Sequence, residues 1–411
     1  MAQVKSLQTG IKFKDTPIGK IPVDWEVLSL SQVAEINMGQ SPSSQVCHDY
    51  EDGVPFYQGN ADFGPKYPTT RRWCKKPLKI AQKGDILISV RAPVGEINIV
   101  PHECCIGRGL SAIRATKIDD KYLYQSMLFH RKALEKVSQG STFEAINRKD
   151  LSDFLMFAPP LPEQKKIAEI LTTVDDAIEE TDRIIEKTKE LKKGLMQRLL
   201  TRGIGHKKFK KTEIGKIPEK WDVVKIGEEC DCIVPGRNKP KSFDGEIPWV
   251  TIPDIIDPKI KESKQGLCVS LDEIKKCGTR VVPRGSVIMS CVGEFGIVAI
   301  TDREIVINQQ LHAFIPSNDL DANFLRYVLI LQRPYMEKIA TKTTIPYMNK
   351  VNCNSIPVPK PPINEQREII NILLSLEDND SMEQQFLKYL KELKISLMQI
   401  LLTGKVRVKL H

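Results

Sequence analysis

Residues 16–27 read TPIGKIPVDWEV and residues 212–223 read TEIGKIPEKWDV, identical at eight of twelve positions. The separation of 196 residues is far longer than the roughly 20–50 residues of a solenoid repeat, so the repeating unit has the size of a domain. The match continues along the chain. KGDILISV at 83–90 pairs with RGSVIMSC at 284–291, and IGRGLSA at 106–112 with INQQLHA at 307–313. LPEQKKIAEIL at 161–171 pairs with INEQREIINIL at 363–373, and LMQRLLT at 195–201 with LMQILLT at 397–403. The offset drifts only from 196 to 202 residues. This is a full-length duplication with small insertions.

Each copy contains two kinds of sequence. The earlier part, about 15–158 and 211–359, mixes short strand-like runs with Gly, Pro and Asn punctuation, which predicts a compact α/β (α+β) domain. The later part, about 162–201 and 364–403, is poor in punctuation and predicts a long helix. In the first of these an apolar or small stripe runs Ile167, Ile170, Val174, Ala177, Thr181, Ile184, Thr188, Leu191, Leu195. Alternating steps of three and four are a coiled-coil seam. Pro162 suits a helix start and Gly203 a helix stop. About 40 residues at 1.5 Å each make a helix on the order of 60 Å, and one apolar stripe requires a partner helix. Its twin is the expected partner, in an antiparallel coiled coil with a globular domain at each end. The second helix weakens at EDNDSMEQQ, 377–385, where local loosening and a surface for another subunit both fit. The expected boundaries are 1–160 and 204–360 for the domains, with 161–203 and 361–411 for the helices.

At 46.5 kDa, 41 % hydrophobic and 27 % charged, the chain has the composition of a soluble globular protein. MAQVKSLQTG lacks a signal-peptide core and no apolar run approaches 18 residues, so a cytoplasmic, non-membrane location is expected. The ten cysteines include no Cys-x-x-Cys pair; buried free thiols are expected rather than disulfides or zinc. The net charge is +9. From Ile184 to Lys220 there are twelve Lys or Arg against four Glu, with HKKFKK at 206–211 between the two copies. Such a run fits a solvated linker and fits a phosphate-facing surface equally well.

Signatures of catalysis are missing. No phosphate-loop or dinucleotide fingerprint occurs, and the six histidines form no metalloprotease or triad pattern. PDIIDPK at 253–259 has nuclease-like residues at a spacing that favours a charged turn. APPL at 158–161 and KPPI at 360–363 lack the polar residue that precedes Pro-Pro in adenine methyltransferases.

Taken together, IGKIPVDWEV and IGKIPEKWDV, KGDILIS and RGSVIMS, and above all PPLPEQKKI and PKPPINEQREI resemble the specificity subunits of Type I restriction–modification systems, over almost the whole chain. The resemblance implies two target-recognition domains joined by an antiparallel helical pair, with no active site in this chain. It implies double-stranded DNA as ligand, two methyltransferase subunits and restriction subunits as partners, and S-adenosylmethionine, ATP and Mg used in those partners.

A symmetric dimer reads a palindrome; here residues 37–77 and 233–277 have diverged, so an asymmetric bipartite site is expected. Arg pairs with guanine and Asn or Gln with adenine in the major groove. On that basis the first domain offers Gln58, Asn60, Arg71, Arg72 and Arg91, with Trp73 inside the basic stretch KYPTTRRWCKK. In the second, Thr251, Asp254, Lys264, Gln265 and Arg280 are the comparable positions. Ser141, Thr142, Asn147 and Arg148, with Thr343, Thr344, Asn349 and Lys350, are candidates for phosphate or base contact. For each, an ordinary polar surface loop is the competing expectation.

Overall fold

The computed structural model describes residues 12–138, 145–236 and 238–409. Contacts divide them into two units: residues up to 183 with those from 385 onward, and residues 184–384. Each unit takes one globular domain and half of each long helix. Among the described residues no helix is long and apolar enough to cross a membrane.

Each copy opens as a hairpin, Phe13–Thr16 with Gly19–Pro22 and Phe209–Thr212 with Gly215–Pro218. Half of HKKFKK is therefore strand rather than linker. Gly19 and Gly215 hold φ of 126° and 104° at the turns, a region that favours glycine. The hairpins deliver Trp25 and Trp221 into the two cores, both fully buried. Each indole N–H meets the glutamate of the repeated Glu-Gln pair: Trp25 Nε1 donates to Glu163 Oε2 at 3.0 Å and Trp221 Nε1 to Glu365 Oε2 at 2.9 Å. The neighbouring glutamine bridges two loops. Gln164 accepts from Asp119 N at 2.8 Å and donates to Pro159 O at 2.7 Å. Gln366 accepts from Asp321 N and donates to Pro361 O, both at 2.9 Å. The most strongly repeated stretches of the sequence are thus partners in space.

After each long helix the chain turns at a glycine with positive φ, Gly203 at 61° and Gly404 at 67°. A Cβ there would lie 2.6 Å from Trp221 or 2.5 Å from Pro22. A basic residue three positions on then meets the glutamate of the Glu-Gln pair. His206 Nε2 lies 2.7 Å from Glu365 Oε1. Arg407 donates to both oxygens of Glu163 at 2.6 and 2.7 Å and to both of Asp24 at 2.9 and 2.7 Å.

The domain sheets are largely antiparallel, so of the two class labels α+β is the fitting one. In the first unit a four-stranded sheet orders Ile97–Ile99, Ile86–Ser89, Leu110–Ala115 and Ala34–Met38. Beside it a five-stranded sheet places Val54–Tyr57 parallel to Cys104–Ile106. The second unit repeats this with Cys230–Ile233, Leu311–Pro316, Val287–Ser290 and Val298–Thr301 in one sheet. In the other, Ile247–Val250 runs parallel to Val306–Ile307. All ten cysteines are free, and all but the half-buried Cys268 are buried.

The long helices are Leu161–Arg202 and Ile363–Leu401. Within the first unit they run antiparallel, with Lys394 on Asp175 at 2.5 Å and Lys391 on Asp182 at 3.9 Å. The buried or half-buried seam of the first helix is Leu171, Val174, Ile178, Thr181, Ile185, Thr188, Lys192, Leu195 and Leu199. This corrects two positions of the stripe read from sequence, Ile184 and Leu191; the other seven are buried or half-buried. Ile184 and Leu191 are 36 % and 53 % exposed, while Ile185 is 4 % exposed. The physical reason is Lys192, which an apolar count passes over for Leu191 but which turns inward to Glu377 at 2.7 Å. The polar stretch 377–385 does not interrupt the second helix. Its seam there carries half-buried Asp380 and Glu383, with Gln384 Nε2 donating to Asp380 Oδ2 at 2.9 Å.

One more contact ties each domain to its helices. In the first unit Gln125 Nε2 donates to Asp175 Oδ2 at 2.6 Å. In the second, Arg326 Nη2 donates to both oxygens of Glu377 at 2.8 and 2.7 Å and the guanidinium sits 4.3 Å from the Tyr327 ring centroid.

Candidate nucleic-acid interface

Two parallel strands in each unit end at the same edge of a sheet and release their loops side by side. In the first unit, Gln58 comes directly after Val54–Tyr57, and Gly107-Arg108-Gly109 directly after Cys104–Ile106. Gly107 N donates to Tyr57 O at 2.8 Å and Gly109 N to Gln58 O at 3.2 Å. A Cβ on Gly109 would lie 2.6 Å from Gln58 O, so the close approach needs glycine. Ser41 Oγ joins the two loops, accepting from Gln58 Nε2 at 2.8 Å and Arg108 N at 3.1 Å. The brace continues outward: Val90 N donates to Gly109 O at 2.9 Å and Ile146 N to Val90 O at 3.0 Å. Gln58, Arg108, Arg91 and Arg148 consequently share one rim, and all four are exposed.

The second unit builds the same rim with other side chains. Asn308 N donates to Val250 O at 3.0 Å, Cys291 N to Gln310 O at 2.8 Å, and Met348 N to Cys291 O at 2.8 Å. These repeat, bond for bond, the braces at Tyr57, Gly109 and Val90. Thr251, Gln309, Gln310 and the loop 341–350 are brought together. That loop is tied by Thr341 N to Tyr347 O at 3.0 Å, Gly293 N to Pro346 O at 2.8 Å and Thr343 Oγ1 to Ile345 O at 2.7 Å. Behind the rim, burial first and the Lys350 charge second push the His312 pKa down to about 4. It is neutral at pH 7 and adds no charge. Burial likewise pushes the Cys291 thiol up to about 12.

Several of the residues expected from sequence are committed elsewhere or set apart. Asn147 and Asn349 cap the short helices Arg148–Ser152 and Lys350–Asn354. Asn147 Oδ1 accepts from Lys149 N and Asp150 N at 2.8 and 3.0 Å, and Asn349 Oδ1 accepts from Asn352 N at 2.9 Å. Arg72 lies 3.6 Å from Asp49 and 5.8 Å over the Phe56 ring. Arg71 is exposed and, because Phe56 N donates to Arg72 O at 2.8 Å, comes level with the end of the Gln58 strand. Much of the rest of the basic stretch 66–76 is neutralised internally, Lys66 by Glu179 and Asp176 and Lys75 by Asp52. Trp73 is half-buried in strand Trp73–Cys74, and Asn60 opens the turn Asn60–Asp62 next to Gln58. Lys264 and Gln265 are exposed beside Asp254, and Lys350 and Thr344 are exposed on the second rim. Arg280 Nη2 donates to Cys232 O at 3.3 Å, and the position that matches Arg91 is Val292. Ser141 and Thr142 fall outside the described residues.

Asp254 is a turn-forming carboxylate. It accepts from Thr251 N, Thr251 Oγ1 and Lys264 N, each at 2.7 Å, while Asp257 points to solvent. The charged-turn reading of PDIIDPK holds. Among the described residues no group of three or more His, Cys, Asp or Glu is placed to hold a metal ion.

Arg108, Gln309 and Gln310 were not singled out from sequence, although the frame that contains them was. IGRGLSA and INQQLHA match at the apolar positions and differ at the polar ones, which is the signal of one scaffold carrying two sets of side chains.

A family model described as "Type I restriction modification DNA specificity domain" matches residues 22–190 and 218–392. The specificity subunit named for type I restriction enzyme MjaX of Methanocaldococcus jannaschii is 44 % identical over 46 % of this chain and 45 % of its own length, so that match spans less than half of the relative. The type I restriction enzyme MjaVIII specificity subunit of the same organism is 27 % identical over 97 % of this chain and 96 % of its own. Among solved structures, the S subunit of a Type-I restriction-modification system from M. genitalium superposes with a TM-score of 0.61 at 15 % identity, over 99 % of each chain. A chain from a study of complex assembly and conformational transition of the type I R-M system gives 0.57 at 18 % identity, over 94 % of this chain and 99 % of that one.

Proposed function

Because this chain belongs to the type I restriction–modification DNA specificity family, we propose that it is the sequence-reading subunit of such a complex. Its two globular parts, 1–160 and 204–360, act as target-recognition domains, and the helical parts, 161–203 and 361–411, act as the spacer. The carrying observation is the pair of rims held by the same backbone braces but bearing different side chains: Gln58, Arg91, Arg108 and Arg148 on one, Thr251, Gln309, Gln310 and the 341–350 loop on the other. Equivalent scaffolds with unlike side chains suit two unlike half-sites with an unread gap. The chain itself supplies recognition and assembly. Adenine methylation and cleavage belong to methyltransferase and restriction subunits that it recruits.

The test is to express the chain with its neighbouring methyltransferase in a methylation-free host and sequence the DNA by a single-molecule method. Methylated adenines in two dissimilar half-sites at a fixed gap, present only with both chains, support the reading. Methylation unchanged without this chain overturns it. Within a site so found, Arg108→Ala should cost about 1–3 kcal/mol at one base pair and relax the preference there. Competition binding of the variant against single-substitution duplexes measures this.

A further inference from the structure

The second rim carries an exposed aliphatic side chain, Ile345, on a tied-down loop, and another, Val351, in the short helix Lys350–Asn354 that follows it. Ile345 is 62 % exposed and Val351 75 % exposed, although both stand among polar residues. The loop is not slack. Its base is closed by Thr341 N to Tyr347 O, its crest by Thr343 Oγ1 to Ile345 O, and its side by Gly293 N to Pro346 O. Pro346 fixes the backbone after Ile345. An aliphatic group held outward at this cost in hydration is explained if it meets an apolar surface in the bound state. In the major groove the apolar feature is the thymine 5-methyl group, which aliphatic side chains contact directly. The surroundings match that partner: Lys342 and Lys350 flank the loop for phosphate. Next to it Gln309 Nε2 donates to Gly236 O at 3.2 Å and Gln310 Oε1 accepts from Asn308 Nδ2 at 3.0 Å, which leaves a carbonyl on the one and an amino group on the other to face a base.

We propose that Ile345, with Val351 of the following helix, reads thymine methyl groups, so that the second unit selects a half-site containing A·T pairs. The first rim, with Arg91, Arg108 and Arg148, selects guanine instead. This rests on the DNA-reading function proposed above and names the chemistry of its second half.

The test uses the full chain and a duplex carrying its selected bipartite site, obtained by repeated selection from a random library. Each thymine is replaced in turn by uracil, which removes only the methyl group. At one or more thymines of a single half-site, uracil should weaken wild-type binding about fourfold, the worth of one buried methyl. The same replacement should have no effect on Ile345→Ala or on the double variant with Val351→Ala, whose melting temperatures should equal the wild type because both side chains are exposed. Failure to select any sequence would overturn the DNA-reading function itself. A selected site in which every thymine tolerates uracil, or in which the uracil effect survives both substitutions, would overturn this inference alone.

Discussion

Replacing Glu377 by alanine should destabilise the second unit by about 3–5 kcal/mol, because it strands the Arg326 guanidinium in the core. Arg326 is 3 % exposed, its Nη2 is held by both oxygens of Glu377, and its Nε has no partner. Glu377→Gln should recover little, since an amide does not balance the charge. Hydrogen exchange in urea, read separately over 184–384 and over the rest, should show the loss concentrated in the second unit. The pair also sets an acid limit. Burial alone would raise the Glu377 pKa, but hydrogen bonds from Arg326 and Lys192 outweigh it and hold the carboxyl below the ordinary carboxylate range. A depressed folded pKa contributes stability above the unfolded value of about 4.3, and that contribution is lost as pH falls through the folded value. Wild type should therefore lose more stability than Glu377→Ala on acidification below about pH 4.

The second large effect is expected at Arg407→Ala. Glu163 is 1 % exposed and would keep only the Trp25 indole as donor. A loss of about 3 kcal/mol in the first unit is expected, the lower end of the range for breaking a buried ion pair, because Arg407 itself reaches solvent. Arg407→Lys should recover part of it, as one ammonium cannot serve Glu163 and Asp24 in the bidentate way of a guanidinium. Urea unfolding followed by hydrogen exchange distinguishes the two variants, and exchange over 184–384 should stay at its wild-type level.

What the sequence made legible was whatever repeats or lies close in the chain. IGKIP, the buried tryptophan and the Glu-Gln helix start could be found by alignment, and their meeting in space explains why they recur together. The long helices could be found from their steps of three and four, but not the turn of the seam toward Ile185 and Lys192. Lys192 sits inside it because of the Glu377 charge, which an apolar count cannot see. The rims were half legible. Gln58 and Arg108 lie 50 residues apart and meet only because two short strands run parallel, a pairing no local pattern announces. Asn147 and Asn349 had the right chemistry for adenine, yet each starts a helix, and the same carbonyl that would face a base caps backbone amides instead.

The first unit is discontinuous, and this has a consequence for how the molecule is made. Met398, Leu401 and Leu402 complete the same core as Trp25 and Leu30, while the second unit is one uninterrupted segment. On a ribosome adding about 5–20 residues per second, the domain translated first waits on the order of ten to forty seconds for its closing residues. The domain translated later can finish before it. Removal of the segment that holds Met398, Leu401 and Leu402 would therefore injure the part of the chain made first and leave the later unit able to fold.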